Sequence, residues 1–188
     1  PTERNVKAKA LFEQNIFSVI RQLQYSKDAA RLALDLCIFI NGLPVITCEL
    51  KNQLTKQNAA DAERQYKKDR LPSELLFSFK RCLVHFAVDD NEVRMCTELK
   101  GDKSFFLPFN KGFNNGAGNL LNPDGIKTDY LWKQILTKAE ISNILENYAQ
   151  VIEEKDEDTG NKTYKQIFPR YHQLDVVKSL LSDAARDG

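Results

Sequence analysis

The fold is decided by residues 32–51, LALDLCIFINGLPVITCELK. Two runs rich in Leu, Ile, Val and Cys flank Asn41-Gly42, and an Asn-Gly pair between such runs is a strong signal for a β-hairpin. Asp35 lies in the first run, and Glu49-Leu50-Lys51 closes the second. The stretch therefore predicts an apolar hairpin that carries two carboxylates and a lysine near the free ends of its strands.

The register of this hairpin decides whether the two acids meet, because side chains alternate between the faces of a strand. A two-residue turn would place Asp35 opposite Cys48 and put the carboxylates on different faces. A loop that is one residue longer, such as a turn with a glycine bulge, places Asp35 opposite Glu49. We predict this odd-length loop, with Lys51 on the same face as the acids. The opposite face then becomes wholly apolar, with Leu34, Leu36, Ile38 and Ile40 on its first strand.

Two carboxylates arranged in this way favour a divalent metal site. Directly opposed strand residues have Cβ atoms about 5 Å apart, and two carboxylates repel each other unless a cation lies between them. We expect Asp35, Glu49 and the backbone carbonyl of Leu50 to bind Mg²⁺, which prefers oxygen ligands. Such an ion activates water and neutralises charge on a phosphate, and Lys51 would position that water. Alternatively, the acids are strand-end residues, one of them paired at the surface with Lys51 or Arg31.

The composition is that of an ordinary globular protein. The 188 residues are 42% hydrophobic and 28% charged, enough for one core with appendages. A net charge of +1 excludes a strongly basic coat, so a nucleic-acid contact would need a local patch. No signal peptide and no run of about 18 apolar residues is present, so neither secretion nor a membrane contact is expected. The cysteines lack CxxC spacing and are predicted to be reduced core residues: Cys37, Cys48, Cys82 and Cys96.

The remaining sequence predicts an α/β fold with a mixed central sheet flanked by helices. Residues 16–25 suit a strand or a helix, and we favour the strand. The other predicted strands cover 83–88, 92–99 and 105–109, with an exposed hairpin or linker over 153–162. The predicted helices cover 5–12, 55–70, 130–136, 139–148 and 171–185.

One segment is too long to be a simple connection. Residues 110–125 hold four glycines and five asparagines, which is typical of a loop that is functional or mobile. The chain also begins at Pro1 without Met and ends within a helical pattern. We therefore expect it to be part of a longer protein.

Several short motifs accompany Asp35 along the chain. They are INGLP at 40–44, ELKN at 49–52, QY at 65–66, LVHFA at 83–87, FFLPFN at 105–110 and FPRYHQ at 168–173. Together they closely resemble the N-terminal nuclease region of type I restriction enzyme R subunits, over most of the chain. FPRYHQ is similar to the segment that precedes the ATP-binding loop of the motor attached to that region. No GxxxxGK[ST] motif occurs in the chain, so the motor itself is expected to lie beyond it.

This resemblance implies a PD-(D/E)xK restriction-endonuclease-like core with Mg²⁺ as its cofactor. It implies an endonuclease domain over 1–150, with a linker and first helix over 151–188 that lead to a helicase-like motor. Members of the family cleave unmodified DNA after ATP-driven translocation. The implied partners are double-stranded DNA, the modification and specificity subunits and the protein's own C-terminal motor domain, in the cytoplasm. ATP would bind only to the full-length protein. The length of the 110–125 loop leads us to expect that this loop contacts the motor and couples ATP use to cleavage.

The resemblance also assigns roles residue by residue. Asp35 and Glu49 become metal ligands and Lys51 the catalytic lysine. Leu34 stands where a proline often precedes the aspartate, which changes backbone stiffness but removes no ligand. Gln65 matches the glutamine of a Q-x-x-x-Y element that supports DNA binding. Asp69 stands at its tyrosine position, and Tyr66 would substitute in part.

Further candidates have simpler alternatives. Glu13 is either an extra acid near the metal or an exposed helix residue. Lys67, Lys68 and Arg70 either contact DNA phosphates or form a solvated helix face.

The last candidates concern the motor and the function as a whole. His172 and Gln173 either help to bind the adenine of ATP in the full-length protein or cap a helix. The alternative function is a non-catalytic module that docks DNA or the other subunits. Intact Asp35, Glu49 and Lys51 favour the nuclease.

Overall fold

The computed structural model describes residues 6–27, 31–113, 117–155 and 160–186. Its strands are β1 (Phe17–Gln24), β2 (Ala33–Ile40), β3 (Leu43–Leu50), β4 (Val84–Val88), β5 (Val93–Cys96), β6 (Leu107–Pro108), β7 (Gln150–Lys155) and β8 (Lys162–Ile167). Its α-helices are α1 (Val6–Glu13), α2 (Ala59–Asp69), α3 (Lys138–Asn147) and α4 (Tyr171–Arg186). Short helical turns cover Gln53–Thr55, Leu75–Phe77 and Leu131–Ile135.

Six strands form the central sheet in the order β1-β2-β3-β4-β5-β6. Strands β3 and β4 pair in parallel, and the other neighbours pair antiparallel. A parallel neighbour requires a crossover connection, and α2 lies in the segment that joins β3 to β4. The predicted α/β fold with a mixed sheet and flanking helices is confirmed, and it is consistent with a PD-(D/E)xK nuclease-like fold.

The hairpin of β2 and β3 has the register that brings the acids together. Leu36 pairs with Cys48, as the odd-length loop required. Asp35 and Glu49 follow one step further along the same two strands. This alignment was the main geometric prediction from the sequence, and it is confirmed.

The turn that produces this register differs from the predicted one. Ile40 pairs with Leu43, so the loop consists of Asn41 and Gly42 alone. Both residues have positive φ, 50° and 80°, as a type I′ turn requires. The odd-length loop is therefore wrong. The extra residue is Val45, at a β-bulge where the pairing shifts within β3.

Both faces of the sheet are buried, each in its own hydrophobic cluster. One face packs against α3, the turn at Leu131–Ile135 and the start of α4, and includes Leu36, Ile38, Ile40, Ile46 and Cys48. The other packs against α2, and includes Cys37, Ala62, Tyr66, Phe77 and Ala87. The acids therefore lie beside a covered face of the sheet, beneath α2.

Leu34 is the exception to the predicted apolar face. It packs in the α2 cluster rather than with Leu36, although strand alternation predicts the reverse. Gln22, the residue of β1 that faces Asp35 in this register, has a φ of 51°. The regular pleat is interrupted beside Leu34, beyond the last β2–β3 pair, and the side chain turns to the other face.

Helix α2 begins later than predicted, at Ala59. Lys56 has a φ of 56° and ends the preceding turn, which separates Thr55 from the helix. Asn58 then forms a capping box with Asp61. The Asp89 carboxylate accepts a hydrogen bond from the Ala59 N–H at 2.8 Å, so the start of the helix is fixed to the end of β4.

The C-terminal segment is attached to the same core. Gln166 of β8 donates to the backbone oxygens of Cys82 (2.6 Å) and Leu83 (2.8 Å). Phe168, Tyr171 and Leu174 lie in the cluster that covers one face of the sheet. The hairpin alternative for 153–162 is confirmed by β7 and β8, and its tip at 156–159 lies outside the described residues. The domain boundary at residue 150 stays a prediction.

Asn119 holds the described part of the 110–125 loop; residues 114–116 lie outside the described ranges. The Asn119 side chain accepts a hydrogen bond from the Lys111 N–H (2.8 Å) and donates to the Asn91 carbonyl (2.8 Å) and to Asn110 Oδ1 (2.9 Å). The loop therefore lies against the turn between β4 and β5.

Two further expectations concern the cysteines and membranes. Cys37, Cys48, Cys82 and Cys96 are buried free thiols, as predicted for core residues. Within the described ranges, no helix combines the length and the apolar character that a membrane crossing would need.

Candidate active site

Asp35 and Glu49 meet at the end of β3, where the strand leaves the sheet. The Asp35 carboxylate accepts a hydrogen bond from the Leu50 N–H (Oδ2, 2.8 Å) and another from the Gln22 amide (Oδ1, 3.0 Å). These two contacts fix Asp35 against β3 on one side and β1 on the other. The charge of Asp35 also acts on the Glu49 carboxyl, so the two carboxylates lie close together, as the register predicts.

Glu49 is fully buried, with 0% of its surface exposed. Its Oε1 accepts a hydrogen bond from Arg70 Nε at 2.6 Å, while its Oε2 is buried without a hydrogen-bond partner. Burial raises the pKa of Glu49 to about 7, the Arg70 guanidinium opposes the rise, and the negative charge of Asp35 adds to it. The alternative that pairs Glu49 with Lys51 or Arg31 at the surface is therefore wrong.

The donor set fits a hard divalent cation. Two carboxylates lie together, and one buried oxygen lacks the donor that a buried acceptor normally has. In the described part of the chain, no third His, Cys, Asp or Glu side chain extends the pair into a larger cluster. Mg²⁺ is commonly held by one or two carboxylates together with waters, so the pair is sufficient. The roles of Asp35, Glu49 and the Leu50 carbonyl as ligands stay predictions.

Lys51 lies on the α2 side of the sheet, beyond Glu49. It lines a pocket of about 230 Å³ together with Gln57, Asp61, Arg64, Gln65, Lys68 and Asp69. A hydrogen bond with the Asn58 backbone is the main cause that lowers the pKa of Asp61, and the charge of Lys51 contributes. The fold thus brings Lys51 and Gln65, both predicted from the sequence, to one polar pocket.

Two residues that were predicted to contact DNA are instead buried between α2 and the sheet. Tyr66 is fully buried, and its hydroxyl hydrogen-bonds Thr47 Oγ1 at 2.8 Å, so it cannot substitute for an exposed tyrosine. Arg70 is 3% exposed and binds Glu49, so its assignment to a phosphate or to a solvated face is wrong. Helical spacing alone could not show this, because Arg70 follows the last residue of α2 and folds back under it.

The other basic residues of α2 lie on two different sides. Lys67 pairs with Glu63 at 2.6 Å and lies over the ring of Phe106. Lys68 lines the pocket beside Lys51 and pairs with Asp102 at 2.8 Å. A DNA contact by either lysine stays a prediction, and Lys68 is the one that shares a pocket with Lys51.

Glu13 lies far from the acids, so its role as an extra ligand is wrong. It ends α1, and the nearby Asn15 accepts a hydrogen bond from the Asn41 side chain at the turn of the hairpin. That turn lies six positions from Asp35, or roughly 20 Å along an extended strand. The alternative of an exposed helix residue is confirmed for Glu13.

His172 and Gln173 lie in the first turn of α4, and both are exposed. The Gln173 Oε1 accepts a hydrogen bond from the Arg170 N–H at 2.9 Å, the reciprocal half of a capping box. The helix-cap interpretation is confirmed for Gln173. Binding of nucleotide by either residue stays a prediction.

Three residues at the site were missed: two partners of the acids and one partner of Arg70. Arg70 binds Glu49, Gln22 binds Asp35, and the Tyr25 hydroxyl accepts from Arg70 Nη1 at 3.0 Å. The register of β1 could have indicated Gln22, which faces Asp35. No local pattern indicates the other two, because their contacts span long separations in sequence.

Comparison with known proteins identifies the family of the chain. The sequence model of the family described as type I restriction enzyme R protein N terminus matches residues 5–104. The chain belongs to this family. The match includes Asp35, Glu49, Lys51 and Arg70, so the paired acids and their buried partner all lie within the family region. The resemblance found in the sequence motifs is thereby confirmed.

A curated relative extends the likeness beyond the family region. A Methanocaldococcus jannaschii protein, whose name describes it as a type I restriction enzyme endonuclease subunit, is 26% identical over 173 residues. The alignment covers 88% of this chain but only 15% of the relative. No solved structure matches the chain. The chain therefore corresponds to the N-terminal region of a type I restriction enzyme R subunit.

Proposed function

We propose that this region is a Mg²⁺-dependent DNA endonuclease that hydrolyses phosphodiester bonds at Asp35, Glu49 and Lys51. The observation that carries the proposal is the buried Glu49 Oε2, which has no hydrogen-bond partner although Asp35 lies beside it. A buried acceptor next to a second carboxylate is costly unless a cation or a proton joins the pair. The name of the curated relative supports the same activity.

Each residue of the proposed site has a separate role in hydrolysis. Asp35 and Glu49 would hold the ion, with the Leu50 carbonyl as a further ligand. Bound Mg²⁺ supplies an activated water and neutralises the charge that develops on the phosphate. The ammonium of Lys51 holds the attacking water and stabilises the phosphate oxygens. The Leu50 N–H and the Gln22 amide keep the Asp35 carboxylate in place.

The rest of the activity belongs to a longer protein and its assembly. We propose that the motor region of the full-length subunit binds ATP and translocates double-stranded DNA, and that cleavage follows. Modification and specificity subunits complete the complex and select unmodified DNA, in the cytoplasm. These proposals rest on the family and on the relative, of which this chain spans about 15%.

The proposal is tested by plasmid cleavage with the assembled complex, ATP and Mg²⁺. Asp35→Ala and Lys51→Ala should each abolish detectable cutting while ATP hydrolysis and translocation continue. Glu146→Ala is a suitable control, because Glu146 lies near the hairpin turn at the far end of β2. It should cut at the wild-type rate.

Uncoupling of the two activities is the informative result. If both variants cut as fast as wild type while translocation is normal, the chemistry occurs elsewhere and this region is a docking module. If ATP hydrolysis is lost together with cutting, the variants have damaged the assembly. The comparison is then repeated with Asp35→Asn and Lys51→Gln, which preserve side-chain size.

A further inference from the structure

The guanidinium of Arg70 is held at three points beneath α2. Nε donates to Glu49 Oε1 at 2.6 Å, Nη1 to the Tyr25 hydroxyl at 3.0 Å and Nη2 to the Ala33 carbonyl at 2.9 Å. The charge also lies 5.4 Å from the centre of the Tyr25 ring. The Arg70 guanidinium is therefore fixed by three strand ends: the end of β3, the start of β2 and the residue that follows β1.

The way in which Arg70 contacts Glu49 leaves one carboxylate oxygen free. Arginine often pairs with a carboxylate through two parallel hydrogen bonds that use both oxygens. Here the two Nη atoms are occupied by Tyr25 and Ala33, so that Arg70 contacts only Oε1. Oε2 is the atom without a partner.

We propose that Arg70 is a positioning residue for the metal site: it holds Glu49 by Oε1 so that Oε2 is presented to the cation shared with Asp35. This inference rests on the proposed function and extends it to a residue outside the acid and lysine motif. The planar guanidinium of Arg70, with its forked set of N–H donors, fixes the orientation of the Glu49 carboxylate as well as balancing its charge. A lysine would supply the charge without the fork.

Two other roles for the ion pair predict different results for metal binding. If Arg70 were a counter-charge that a cation must displace, its removal would tighten metal binding. If the pair only supported the fold, metal affinity would follow stability and not the geometry of residue 70. The positioning role predicts weaker binding even when the positive charge is retained.

The test measures Mn²⁺ binding to the full-length subunit without nucleotide, and electron paramagnetic resonance detects the free Mn²⁺. Sites outside this region are subtracted with the double variant Asp35→Asn, Glu49→Gln. Residues that orient metal ligands typically contribute about 10- to 100-fold in affinity. We therefore expect losses in that range for Arg70→Gln and Arg70→Lys.

A matched control is available on the other side of α2. Arg94 pairs with Glu63 and Glu92 at 2.8 Å, so Arg94→Gln removes two partly buried ion pairs, and the pair with Glu63 contacts the same helix. It should leave Mn²⁺ affinity unchanged. Urea denaturation of each variant separates lost stability from lost metal binding.

A milder variant covers the case in which Arg70→Gln does not fold, since that change leaves Glu49 buried without its partner. Tyr25→Phe removes only the hydroxyl that holds Nη1, so Arg70 retains Glu49 but becomes free to engage both of its oxygens. It should weaken Mn²⁺ binding in the same direction as Arg70→Lys.

The outcomes separate this inference from the proposed function. Wild-type or tighter Mn²⁺ binding by Arg70→Lys overturns the positioning role. If the double acid variant loses the site while the Arg70 and Tyr25 variants keep it, only the role of Arg70 fails. If the double acid variant binds Mn²⁺ as wild type does, the metal-dependent function itself fails.

Discussion

His85 provides a prediction about stability that is independent of the metal site. It lies in β4, where it is buried between the rings of Tyr66 and Phe77, and its Nδ1 hydrogen-bonds Thr47 Oγ1 at 2.7 Å. Burial lowers the pKa of His85 from 6.5 to about 3. The folded protein therefore excludes a proton that the unfolded chain binds in mild acid.

The magnitude and sign follow from proton linkage. Between the two pKa values only the unfolded state is protonated at His85, so stability is lost as the pH falls below 6.5. Each pH unit in this window corresponds to about 1.4 kcal/mol. A fall to pH 4.5 therefore costs about 3 kcal/mol through His85 alone.

Glu49 acts in the opposite direction over the same range. Its pKa is raised to about 7, with burial as the main cause, so the folded state keeps a proton there that the unfolded state has released. Its contribution therefore increases stability as the pH falls from 7 towards 4.5. The wild-type profile combines both effects, and only a comparison with a variant isolates His85.

The assay is urea denaturation of wild type and His85→Gln at pH 7.5 and pH 4.5. His85→Gln cannot be protonated at residue 85, so it should be less stable than wild type at pH 7.5 but less sensitive to acid. The difference in free energy of unfolding between the two proteins should shrink by about 3 kcal/mol at the lower pH. A difference that is the same at both pH values would refute the argument from burial.

Three further changes test the structure around the site. Asn58→Ala removes the cap of α2 and should cost about 1 kcal/mol in urea denaturation; an unchanged midpoint would contradict the role of the cap. Gly42→Ala places a Cβ at a φ of +80° in the hairpin turn and should cost roughly 1 kcal/mol, whereas Gly118→Ala tests the same strain in the long loop. Gln166→Ala removes the contacts of β8 with the core and should speed proteolysis within β7 and β8; a cleavage rate equal to wild type would show that other contacts hold the hairpin.

Local patterns predicted the parts of the fold that depend on neighbours in sequence. The Asn41-Gly42 turn was evident because positive φ at two successive positions suits those residues. The pairing of the acids followed from strand alternation together with the requirement that Leu36, Ile38 and Ile40 share a buried face. The bulge at Val45 was misplaced into the loop, because either position gives the same register.

Contacts between distant segments could not be predicted in this way. Helix α2 was found from its composition, but its start depended on Lys56, whose positive φ ends the preceding turn. Tyr66 was predicted to support DNA binding because of its place in a motif, whereas packing of α2 on the sheet buries it. Leu34 broke the strand pattern beside Gln22, where the backbone departs from regular β geometry.

The sequence by itself determined the hairpin, the mixed α/β fold and the meeting of Asp35 with Glu49, because alternation and turn chemistry act over a few residues. Only the tertiary structure decided that Glu49 is buried, that Arg70 holds one of its oxygens and that the other lacks a partner. The physical reason is that the partner of a buried charge is set by where α2 ends over the sheet. That position depends on packing across the whole core.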